Sequence, residues 1–179
     1  MLRMEAVRRR RLGIAMCHHR YASRNCGDGT MGPNQMEIHV FDREEIERGI
    51  LIRTSYVVIS ISDPRKKHAK VKPQSGLRDV LFLTFHDAEP SDNFVLPPHI
   101  KLITPAQADQ IRDFVHKHAA TVGAIVVHCH QGMSRSPAVA AAISDALGLD
   151  GEPFRRRYAP NAYVYQAVVD AFNRGGSSA

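Results

Sequence analysis

Three features of this sequence predict an α/β fold with a central, mostly parallel sheet flanked by helices. The runs Tyr56–Ser62 and Ala124–Val127 are short, apolar and rich in β-branched residues, the pattern of strands buried on both faces of a sheet. Helical stretches with caps and apolar stripes alternate with such runs, as in parallel-sheet proteins. The stretch Ala124–Ile143 reads strand, tight loop and helix in immediate succession.

The chain of 179 residues is long enough for one domain with a proper core. Its net charge of +6 is unevenly placed, because residues 1–35 hold seven Arg against only Glu5 and Asp28. Those residues show no apolar periodicity, and Cys26 to Gln35 is rich in Gly, Pro and Asn. They read as a basic, disordered N-terminal extension, with the domain spanning 36–175. Such an arm can touch nucleic acid or an anionic surface, but a solvated extension is the simpler reading, and no nucleic-acid partner is expected. Cys17, Cys26 and Cys129 form no disulfide framework, and Cys17-His18-His19 with Cys26 lacks a familiar zinc spacing. No apolar run approaches the roughly 20 residues of a membrane span, and Leu12–Met16 is too short for a signal-peptide core. These features lead to a cytoplasmic expectation, while oligomeric state is left open.

The elements follow in order. Ile38–Phe41 reads as a first strand, and Asp42 with Glu45 forms a capping box for a short helix carrying Ile46 and Ile50 on one face. Tyr56–Ser62 is a buried strand ended by Asp63-Pro64. Arg65 to Gly76, with Arg65, Lys66, Lys67, Lys70 and Lys72, reads as a basic loop. Asp79–Phe85 is the next strand and delivers His86 to Asp92 at its end. Thr104-Pro105-Ala106-Gln107 opens a helix whose stripe of Ala108, Ile111, Val115 and His118 lies on the sheet. The Ala124 strand, its loop and an Ala/Val/Ile-rich helix stopped by Gly148 come next. A short helix near Glu152–Tyr158 and a longer one over Asn161–Phe172 complete the domain.

The loop Cys129-His130-Gln131-Gly132-Met133-Ser134-Arg135 carries the chemistry. Gly132 is free to take a conformation closed to other residues. Folded over a helix N-terminus that Ser136-Pro137 opens, the loop points several backbone N–H groups at one spot, where the helix dipole adds positive charge. Such a nest binds a tetrahedral oxyanion and stabilises a thiolate at its floor. Arg135 can grip two oxygens of that anion with its planar fork.

The order His128, Cys129, five residues, Arg135, Ser136 resembles the signature loop of the cysteine-dependent protein tyrosine phosphatase superfamily. The string His-Cys-x-x-Gly-x-Ser-Arg-Ser-Pro is similar to its dual-specificity-like branch of small, bacterial-type phosphatases. Pro160-Asn161 ahead of the last helix resembles that branch as well. Low-molecular-weight phosphatases and arsenate reductases share the Cys-to-Arg spacing but carry it near the N-terminus. The resemblance runs over roughly Tyr56–Phe172 and implies a phosphomonoester hydrolase of the protein tyrosine/dual-specificity type. Cys129 is then the nucleophile that forms a phosphocysteine. The N–H groups of His130, Gln131, Gly132, Met133, Ser134 and Arg135, with the Arg135 guanidinium, hold the phosphoryl oxygens. Ser136 donates to the thiolate. Asp87 is the general acid; its long spacing from Cys129 keeps Asp92 and Glu89 as rivals. His128 orients the loop by hydrogen bonding.

No cofactor and no metal are implied, and the partner is a phosphorylated protein or another phosphomonoester. The alternatives are a catalytically silent phosphate-binding module, or a phosphoinositide or nucleotide phosphatase on the same scaffold.

Overall fold

The computed structural model describes residues 36–93 and 95–175; the expectations for residues 1–35, including Cys17 and Cys26, lie outside them. The order is β1 (Glu37–Phe41), α1 (Arg43–Arg48), β2 (Tyr56–Ser62), β3 (Leu77–Thr84), α2 (Pro105–His118), β4 (Ala124–His128), α3 (Arg135–Ala146), α4 (Glu152–Arg157) and α5 (Ala162–Gly175). The four strands form one sheet in the order β1-β4-β2-β3, and every pairing is parallel. The two central strands are buried along their whole length, which explains their unbroken β-branched runs.

Alternation along the strands divides the core between two faces. Val57, Ile59, Ile61, Ile125 and Val127 pack with Ala108 and Ile111 of α2, Val139 and Ile143 of α3, and Val164 and Val168 of α5. Truncating one of these, as in Ile143→Ala, is expected to cost about 2–5 kcal/mol. On the other face, Tyr56, Val58, Ala124 and Val126 form a smaller cluster with the buried Ile46 of α1 and Ala69 of the segment between β2 and β3, and half-buried side chains such as Phe41, Ile52 and Val71 pack against it.

That segment is a loop, as expected, but not an open one. It runs back along the second face, with Ala69 buried and Lys72 Nζ donating to the Arg48 carbonyl at 3.0 Å. Arg43 of α1 straps it down, donating to the carbonyls of Lys67 at 2.9 Å and His68 at 3.3 Å. It leaves β2 through a turn closed by Lys66 N–H to Asp63 O at 3.1 Å, with Pro64 second and Arg65 third at φ 70°.

The local signals work as read. Asp42 with Glu45, and Thr104 with Gln107, form complete capping boxes, and Gly148 takes φ 70° beyond α3. Several boundaries move, two of them for a visible reason. β3 begins at Leu77 rather than Asp79, because an edge strand tolerates the Arg78-Asp79 charges and a register irregularity at Tyr56/Val57 accommodates them. α3 begins at Arg135, so Pro137 lies inside its first turn. Among the described residues, no helix is long and apolar enough to cross a membrane.

Candidate active site

Because all strands are parallel, their carboxyl ends share one edge, where an open α/β sheet places ligands. Cys129 is the first residue past β4 and is 2% exposed. The loop after it turns through Gly132 at φ 68°, where a Cβ would lie 3.1 Å from the backbone C and O of Phe41. Conformation and close approach both demand glycine there. The His130 carbonyl also accepts from Arg43 N–H at 3.3 Å, so the loop is pinned against the end of β1 and the start of α1. The Ser136 hydroxyl donates to Cys129 Sγ at 3.1 Å. A narrow pocket opens beside Cys129, lined in part by Arg43, Asp63, Lys66, His128 and His130.

Arg135 is 4% exposed, and its orientation is set by the ends of two other strands. Its Nη1 donates to the Phe85 carbonyl, just past β3, at 2.8 Å. The same nitrogen lies 2.8 Å from Asp63 Oδ1, just past β2. Its Nε is buried without a hydrogen-bond partner and lies 3.9 Å from Asp87 Oδ2. A buried, unpaired donor on a fixed guanidinium costs stability, and a bound oxyanion would satisfy it. Asp63 also pairs with Lys66 at 2.9 Å. Burial alone would raise its pKa, but Lys66 and Arg135 together hold it below the ordinary carboxylate value.

The three carboxylates considered for the acid are sorted by position. Asp87 Oδ1 accepts from Ser134 Oγ at 2.7 Å and Asn161 Nδ2 at 3.0 Å, which sets Asp87 against the loop and beside Arg135. Glu89 is occupied elsewhere, with Oε1 accepting from Ala162 N–H at the start of α5 at 2.6 Å. Asp92 is exposed on a turn.

His128 differs from expectation. Its ring points to the second face of the sheet, and neither ring nitrogen has a hydrogen-bond partner. Burial pushes its pKa down to about 4; the Cys129 backbone opposes that shift without reaching hydrogen-bond geometry. His130, Gln131 and Met133 are exposed at the mouth, while Gly132 is buried. The Ser134 side chain is not free for a ligand, because it is committed to Asp87.

Two residues of the site escaped the sequence reading. Asp63 looked like a strand terminator, although its place after a fully buried strand puts it on the ligand edge. Asn161 looked like a helix start, and nothing local in the chain links it to Asp87. No group of three or more His, Cys, Asp or Glu among the described residues is arranged to hold a metal ion.

No family model and no curated protein matches the chain. Among solved structures it is similar to a human tyrosine phosphatase-like serine/threonine/tyrosine-interacting protein, with 20% identity and a TM-score of 0.43 over 69% of this chain and 77% of that one. It is also similar to PTPMT1 in complex with PI(5)P, with 16% identity and a TM-score of 0.43 over 70% and 81% of the two chains. A third similarity is to Tk-PTP in the active form, with 16% identity and a TM-score of 0.42 over 80% and 99%.

Proposed function

We propose that residues 36–175 form a metal-independent phosphomonoester hydrolase of the protein tyrosine/dual-specificity phosphatase type. The observation that carries this reading is the buried Arg135, fixed by strand ends with its Nε unpaired, on the loop that begins at Cys129. In the first step the Cys129 thiolate attacks phosphorus. A P–S bond forms and the P–O bond to the leaving group breaks. The developing charge is held by the loop N–H groups and the Arg135 fork. Asp87 gives its proton to the leaving oxygen and becomes a carboxylate. In the second step water attacks phosphorus, the P–S bond breaks, and Asp87 takes the water proton. The Ser136 hydroxyl, donating to sulfur, eases departure of the thiolate.

The test is release of phosphate from a small aryl phosphate by the purified protein. Turnover by the wild type and none by Cys129→Ser is the expected result. A silent binding module would hold phosphate or vanadate and turn over nothing.

A further inference from the structure

Resting on the phosphatase reading, we propose that Asn161 is a positioning residue for the general acid, fixing which oxygen of Asp87 delivers the proton. The acid sits on a weak support. The described residues between β3 and α2 form no helix and no strand of the sheet, and Asp87 itself is exposed. A carboxyl group on such a segment rotates freely unless something outside the segment holds it.

Asn161 supplies that hold, and its own position is over-determined. It is 4% exposed. Its Oδ1 accepts from Val164 N–H at 2.9 Å, capping the first turn of α5, and its backbone N–H donates to the Ser134 carbonyl at 3.3 Å. With the side-chain oxygen occupied by the cap, the amide nitrogen must point away from the helix. It donates to Asp87 Oδ1 at 3.0 Å and to the Ala88 carbonyl at 3.3 Å. Ser134 Oγ donates to the same Oδ1. Two donors on Oδ1 leave that oxygen as the acceptor and assign the proton to Oδ2, the oxygen on the side of Arg135. Asn161 thus joins the acid and α5 through its side-chain amide and the phosphate loop through its backbone N–H, and Glu89 on the Ala162 N–H holds the same segment from the next residue.

The test separates positioning from mere support by leaving-group dependence. Asn161→Ser and Asn161→Asp both keep an oxygen able to cap α5, but neither can donate to Asp87 as the amide does. On phenyl phosphate, whose leaving group needs a proton, kcat/KM, which reports only the first step, should fall by roughly 10- to 100-fold, a part of what an acid contributes. On dinitrophenyl phosphate, which departs unprotonated, kcat/KM should change by less than about 3-fold, since no proton is given in that step. Thermal midpoints are measured alongside. Equal loss on both substrates, or no loss on either, while Asp87→Asn still discriminates between them, overturns the role of Asn161 and leaves the phosphatase reading standing. A wild type inactive on both substrates overturns both.

Discussion

Cys129 and Arg135 are buried at the two ends of a short loop, whereas Asp87, their partner in the proposed reaction, is exposed on the segment between β3 and α2. The first half of the site is framed by what lies next to it in the chain, a buried strand before and a buried helix after, with Gly132 pressed on Phe41 and Arg135 turned by Asp63 and Phe85 from farther off. The second half is held from a distance, by the Asn161 side chain and by the Ala162 N–H that donates to Glu89 at the head of α5. The frame of the nucleophile is thus mostly a property of a short sequence, while acid geometry is a property of the assembled fold. The two halves should fail in different ways.

The largest difference is expected from Asp87→Asn. The kcat/KM for substrates with poor leaving groups should drop by roughly 10²- to 10⁴-fold, with a much smaller effect on activated aryl esters. Phosphate affinity should persist, because the buried half is untouched. If Asp92→Asn gives that pattern and Asp87→Asn does not, the docking of Asp87 on Asn161 has been misassigned a catalytic meaning.

The buried half should instead respond to pH through stability. His128 is held neutral, with a pKa of about 4 against an ordinary 6.5, so the unfolded chain binds its proton first as pH falls. Stability from this group is fully present above pH 6.5 and is lost as pH drops toward 4. The shift corresponds to at most about 3 kcal/mol. Urea midpoints at neutral and mildly acidic pH measure it. His128→Gln should flatten the dependence over that range, and an unchanged slope would remove His128 as its source.

The smallest effect concerns charge at the mouth. Five basic side chains follow Asp63 in sequence, but they do not act together: Lys66 lines the pocket beside Cys129, whereas Lys72 is tied to the end of α1. Replacing Lys66 and Lys67 with Ala should raise KM for acidic phosphopeptides a few-fold, roughly the effect of a screened surface charge. Replacing Lys70 and Lys72 should not. Added salt should erase the first effect, and equal effects from both pairs would contradict the placement.

What was legible in the sequence follows the same division. The strand, loop and helix from Ala124 to Ile143 were readable because each instruction is local: a β-branched run, a cysteine-to-arginine spacing, a glycine, an early proline. The capping boxes at Asp42 and Thr104 were readable for the same reason. The basic segment is the loop it was read as, but its charges hid the buried Ala69 and the half-buried Val71 that pin it to the second face. The pairing of Arg135 with Asp63, and of Asn161 with Asp87, was invisible because each joins residues far apart in the chain. His128 was read as a hydrogen-bonding residue, yet the strand's alternation carries its ring to the face away from Cys129.

The central claim is that Cys129 carries the phosphoryl group through turnover. Mixing the protein with a small aryl phosphate, quenching in acid within one turnover and mapping the modified peptide by mass spectrometry tests it directly. The account predicts one phosphoryl group on the peptide holding Cys129, and neither adduct nor turnover in Cys129→Ser, which should still bind vanadate. A phosphoryl group on another residue, or turnover surviving in Cys129→Ser, would contradict it.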